Sequence, residues 1–158
     1  LLYQINLSHQ NILIMKQIII AISFMLSSLF GNTTDRIVTE NITAAFSSQF
    51  ATATTPTWTQ VKNLYKASFT LEGRAVSAFY NQEGDLVAVT KHISIDELPQ
   101  ATAEALKSEL NEGWISELFV MSTDEGDSYY AKIESAGTAT VLHTFKGKKW
   151  NVFDKMSK

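Results

Sequence analysis

Residues 68–89, SFTLEGRAVSAFYNQEGDLVAV, decide how this chain is read. They form three short runs with apolar and polar residues alternating, separated by turn pairs at Glu72-Gly73 and Glu83-Gly84, which is the pattern of consecutive antiparallel strands. The same spacing returns in residues 132–152, KIESAGTATVLHTFKGKKWNV. Tyr65, Ala67, Phe69 and Gly73 match Tyr129, Ala131, Ile133 and Gly137, each 64 positions apart. Gly84 and Val89 match Gly147 and Val152 at an offset of 63. An offset that drifts only where loops lie is the mark of an internal repeat.

Upstream of each strand run lies a helical stretch. From Asp35, an apolar stripe of Ile37 or Val38, Ile42, Ala45, Phe46 and Phe50 recurs at spacings of three and four. Residues 51–57, ATATTPT, end that helix, because Pro56 forbids its continuation. A first strand is expected around residues 58–61. In residues 94–113, Ser94 and Glu97 have capping-box spacing, Pro99 suits only a first turn, and Gly113 supplies a stop. Leu98, Ala101, Ala105, Leu106 and Leu110 would line one face. Phe46 and Phe50 precede Leu106 and Leu110 by 60 residues each. The expected architecture is α+β: two tandem helix–β4 units, residues 32–93 and 94–158, forming one antiparallel sheet with both helices on one face.

Composition narrows the function. The chain has 158 residues, 45% hydrophobic and 18% charged, with net charge −3, so it carries no basic field suited to nucleic acid. With no cysteine, it has no disulfide framework, thiol nucleophile or thiolate metal site. Lys16 followed by the apolar run of residues 18–30 reads as a secretory signal peptide over residues 15–31, with Met15 as the initiator and residues 1–14 as upstream translated sequence. The expected location is therefore periplasmic or secreted, with no membrane span once the signal is removed.

The order of these elements carries a resemblance. ISIDELPQATAEALKSEL, residues 93–110, followed by a strand and then DSYYAKIE before a glycine turn, resembles the PepSY-like domain of secreted bacterial proteins. The tandem arrangement is similar to the β-lactamase-inhibitor-like fold. That resemblance implies a non-enzymatic binding module, an inhibitor of an envelope enzyme in its most specific form. It brings no catalytic residues.

No HExxH, GxSxG, P-loop or dinucleotide motif is present, and no catalytic, cofactor or metal site is expected. The acidic TDEGDS, residues 123–128, reads as a hairpin turn because it lacks the spacing and closing glutamate of a calcium loop. Strand alternation does allow a guess at a surface. With hairpin turns at Glu72-Gly73 and Ala136-Gly137, one face takes Tyr65, Ala67, Phe69, Val76, Ala78, Tyr80, Ala131, Ile133, Thr140 and Leu142, and the helices should cover it. The other face takes Lys66, Phe79, Tyr130, Lys132 and His143, which are the candidate partner-binding residues for a protein or peptide. A small-ligand carrier or sensor is the alternative, to be favoured by a cavity lined by Trp58, Trp114 and the tyrosines.

Overall fold

A computed structural model describes residues 38–147 and 149–157. The signal-peptide and upstream-sequence readings lie outside these residues. Eight strands follow one another as hairpin neighbours: β1 (Thr57–Val61), β2 (Leu64–Leu71), β3 (Arg74–Tyr80), β4 (Leu86–His92), β5 (Trp114–Thr123), β6 (Gly126–Glu134), β7 (Thr138–Phe145) and β8 (Asn151–Ser157). Their order in the sheet is their order in the chain. Two α-helices are described, α1 (Glu40–Gln49) and α2 (Gln100–Glu109), each of ten residues. The expectation of an α+β architecture built from two tandem helix–β4 units is overturned. The described chain is mostly one eight-stranded antiparallel sheet carrying two short helices. By internal contacts one compact unit takes Ser77–Ala88 with the described residues up to Gly73, and the other takes Arg74–Val76 with those from Val89. Each unit thus draws on β3 and β4 instead of owning one helix and four strands.

In the first unit, Thr39 precedes α1, and the helix begins at Glu40, five residues after the start its apolar stripe suggested. Ile42 and Phe46 are its buried positions. Phe46 packs edge-on against Phe69 (4.9 Å) and Trp58 (5.7 Å), while Phe50 lies 4.8 Å from Phe69. The Tyr80 hydroxyl donates to Gln49 Oε1 at 3.0 Å. Phe69 and Tyr80 therefore face the helix, as the alternation of residues 64–80 predicts. The Ser68 and Ser77 hydroxyls meet at 3.5 Å. Glu72 and Gly73 have φ of 51° and 77°, the conformation of a two-residue primed turn.

In the second unit, the Ser94–Glu97 capping box is present, but it heads a 3-10 turn over Ile95–Glu97 and not the α-helix. Pro99 stands as N-cap of α2, which starts one residue later. This delay rotates the expected stripe. Ala101 is exposed, and Thr102 is buried with its hydroxyl donating to the Gly147 carbonyl at 3.0 Å. Leu98 and Leu106 close over Leu118, Ala131, Ile133, Leu142 and Trp150. The Trp150 indole N–H donates to the Thr102 carbonyl at 3.1 Å, tying the start of α2 to the approach of β8. At the other end of α2, Asn111 rather than Gly113 takes the left-handed conformation, with φ of 45°. Gly113 is required for space: a Cβ there would meet Ile133 at 2.7 Å and the Glu134 carbonyl at 2.9 Å. No helix among the described residues is long and apolar enough to cross a membrane.

Candidate functional site

On the second unit, the sheet face away from Leu106 carries a row of rings that crosses five strands. The registers His92↔Phe119, Phe119↔Tyr130, Tyr130↔His143 and His143↔Asn151 align β4 through β8 in one line. Because successive strand residues point to opposite faces and paired residues share one, that alignment puts one side chain from each strand into the row. Phe119 and Tyr130 are stacked at 5.1 Å with planes 8° apart. His143 lies 4.6 Å from Tyr130 on the opposite side, and His92 lies 6.2 Å from Phe119. Phe153 completes the row edge-on to Tyr130 at 5.6 Å and 6.2 Å from His143. Such ring pairs contribute about 0.5–1.5 kcal/mol each beyond their area.

Phe153 lies two residues beyond Asn151 and shares its face by alternation, and a β-bulge follows in β8. β8 pairs Val152 with Leu142 and Asp154 with Val141, so one residue of β8 is left over between two consecutive residues of β7. A neighbouring row is charged. The Lys132 ammonium lies 3.1 Å from Glu134 and 3.6 Å from Glu117. Its hydrogen bond to Glu134 holds the Lys132 pKa above the ordinary lysine value against the opposing effect of burial. Lys132 is thus a neutralised clamp between strands, with its charge already matched.

Burial sets the electrostatics of the ring row. It pushes the Tyr130 phenol up to about 12 and lowers the His143 imidazole, so both are neutral at pH 7. The His143 contacts among the described residues are the Tyr130 and Phe153 rings, not a carboxylate that would make it a general base. No group of three or more His, Asp or Glu side chains converges on a point that could hold a metal, among the described residues.

The five residues singled out from sequence fall into two places. Tyr130, Lys132 and His143 come together in the second unit; Lys66 and Phe79 belong to the first. The expectation that Phe79 and Tyr130 stand exposed is corrected, since they are 0% and 1% accessible. Phe79 sits in a run with Ala78 and Tyr80 that is covered on both faces, as befits an interior strand. Tyr130 is enclosed by Phe119, His143 and Phe153. Lys66 is half-buried, and that burial lowers its pKa. Sequence reasoning missed Phe119, Phe153 and His92 as members of the row. A two-residue turn at Asp124-Glu125 would have placed Phe119 opposite Tyr130, because Thr123 pairs with Gly126. Phe153 shares the face of Asn151 by alternation, but the sequence offers no two-residue turn that would set Asn151 opposite His143.

The cavity foreseen for a small ligand is not assembled as expected. A hollow of about 340 Å³ beside α1 includes Phe46, Phe50, Pro56 and Trp58, but neither Trp114 nor a tyrosine.

No protein-family model matches the chain, and no curated protein matches it. Solved structures do share its fold. A Bacteroides eggerthii protein described as periplasmic aligns with a TM-score of 0.69 and 16% identity, over 77% of this chain and 90% of its own. A DUF2874 family protein from Bacteroides uniformis gives 0.68 and 16% over the same shares. A BLIP-like protein from Bacteroides fragilis gives 0.64 and 17%, over 80% of this chain and 90% of its own. At these identities the likeness is one of fold, and the fold is BLIP-like.

Proposed function

We propose that this chain is a non-enzymatic binding module of the periplasm or cell exterior, which engages a protein or peptide through the ring row of its second unit. The observation that carries this reading is the row itself. Five rings from five strands are held rigid, with His92 exposed and His143 and Phe153 half-buried at the surface of the enclosed Phe119–Tyr130 pair. Rigid aromatic clusters with a covered centre suit an interface, because little side-chain entropy is lost on contact. Within the partner-binding set Lys66, Phe79, Tyr130, Lys132 and His143, this reading gives His143 the contact role and Tyr130 a supporting role, and it gives none to Lys66 and Phe79 of the first unit. Lys132 orders the neighbouring row through its glutamates.

The apolar run after Lys16 and the likeness to a protein described as periplasmic support the location. Inhibition of an envelope enzyme is the specific form of the proposal, supported by the likeness to a BLIP-like protein. A PepSY-like origin and an internal sequence repeat over residues 32–93 and 94–158 belong to the same reading. They are supported by buried pairs at matching places, Ile42 and Phe46 in α1 and Thr102 and Leu106 in α2.

The test is capture from envelope extracts with the wild-type chain and with His143→Ala and Phe153→Ala chains. One partner recovered by the wild type and lost with both variants, at unchanged far-UV circular dichroism, supports the proposal. Equal recovery by all three chains removes this face from consideration.

A further inference from the structure

Trp114, the first residue of β5, is 57% exposed. Its register partner on β6 is Glu134, and the bulge between Ile115 and Glu117 sets Glu117 opposite Lys132. Lys132 and Glu134 follow Tyr130 by two and four residues. Alternation therefore puts Trp114, Glu117, Lys132 and Glu134 on the same face as the ring row. Asp154 joins that face from β8, because it pairs with Val141, two residues before His143.

This flank of the ring row is acidic. Glu117, Glu134 and Asp154 share it with one ammonium, that of Lys132, 3.6 Å from Glu117 and 3.1 Å from Glu134. The pairing satisfies the lysine and leaves negative charge in excess. The two glutamate side chains are 30% and 14% exposed, so salt screens them less than fully exposed carboxylates. A carboxylate accepts more than one hydrogen bond, so one lysine does not exhaust either glutamate. Beyond the other side of the ring row the charge is opposite. There Lys146 lies over the Phe145 ring, 4.9 Å from its centroid, with Phe145 two residues past His143. The face is thus polarised along its strands, with a cation over a ring at one end and carboxylates beside an exposed indole at the other.

We infer that the acidic flank is a cation subsite, which takes an arginine side chain of a basic peptide segment. The guanidinium stacks on Trp114 and donates to Glu117 and Glu134, while a neighbouring apolar side chain meets the ring row. Arginine fits better than lysine, because its plane stacks on an indole and its five donors can serve two carboxylates. Asp154 extends the negative field toward β8 and favours basic partners over acidic ones. The inference rests on the ring row being a contact face, and adds the charge of what meets it.

The test is an NMR titration of the ¹⁵N-labelled chain with the capped peptide Arg-Thr-Leu, whose first and third side chains share one face about 7 Å apart when extended. A second peptide carries citrulline in place of arginine, with the same shape and no charge. The arginine peptide should shift residues 114–117, 132–134 and 141–143 and the Trp114 indole N–H. Citrulline should weaken binding about fivefold at low salt, and the ratio should fall toward one at about 0.5 M salt. Glu117→Gln and Trp114→Leu should each weaken the arginine peptide about threefold. Glu104→Gln, which removes the same charge from an exposed position on α2, should leave its binding unchanged. Equal binding of the two peptides, with shifts at His143 and Phe153, would overturn the cation subsite while leaving the ring row as a contact face. Shifts elsewhere, none at millimolar peptide, or an equal effect of Glu104→Gln would also overturn it. The ring row itself is judged separately, by the capture experiment with His143→Ala and Phe153→Ala.

Discussion

Replacing Tyr130 by serine separates a supporting ring from an exposed anchor. The ring is 1% accessible, stacks on Phe119 at 5.1 Å and meets His143 and Phe153 at 4.6 and 5.6 Å. Truncating a buried aromatic side chain costs about 3–5 kcal/mol, part transfer free energy and part unfilled cavity. Domains of this size have about 5–15 kcal/mol in total. At about 2–4 °C per kcal/mol, the melting temperature should fall by about 10 °C or more. Urea and thermal unfolding followed by near-UV circular dichroism measure the loss. Tyr130→Phe keeps the ring and should cost much less. His92→Ala, at the exposed end of the same row, should stay within about 0.5 kcal/mol of wild type. A Tyr130→Ser chain that melts with the wild type would refute the argument, because the ring would then be contributing no buried contact.

Other expectations follow from the same packing. Burial holds Tyr80 and Tyr130 at about 12, above the ordinary tyrosine value of 10.0, so the folded state keeps phenol protons that the unfolded chain releases. Their contribution is complete below about pH 10 and is lost as pH rises toward 12; alkaline unfolding should shift upward in Tyr130→Phe. For His143 the sign reverses. Burial depresses its pKa below 6.5, so its neutral form stabilises the fold above that pH, and the contribution is lost as pH falls through the depressed value. His143→Phe should flatten this part of the acid unfolding curve. Trp150→Phe removes the 3.1 Å bond to the Thr102 carbonyl inside the core and should cost about 1–3 kcal/mol by urea unfolding, with faster amide exchange at the start of α2.

Much of the local structure was legible because its signals are local. The turn at Glu72-Gly73 and the alternation around it placed Phe69 and Tyr80 toward α1. The Ala136-Gly137 turn likewise set Ala131 opposite Leu142, as the register has it. The stripe of α1 was legible in phase, with Ile42 and Phe46 buried as read, and in α2 Leu106 kept its place while Thr102 took that of Ala101. Pro99 delayed α2, and a hydroxyl bond to Gly147, 45 residues away, drew Thr102 inward where Ala101 had been expected. The candidate face was legible in part. Tyr130, Lys132 and His143 do neighbour one another; of the carboxylates that neutralise Lys132, Glu134 lies two residues along the same strand, whereas Glu117 depends on a cross-strand register that this strand does not encode.

By itself, the sequence determined strand positions, two hairpin registers and the division of apolar from polar faces, since each follows from alternation and turn chemistry within a few residues. One antiparallel sheet was expected from the sequence; only the tertiary structure decided that it dominates the described chain, with two short helices as a minor part instead of two helix–β4 units. It also decided that Phe79 and Tyr130 are enclosed, because enclosure depends on residues distant in sequence closing around a ring. The bulge at Phe153 shows the limit most clearly. One extra residue in β8 changes the parity of the strand and leaves Val152 and Lys155 together on one face, an arrangement that appears only when β8 is laid against β7.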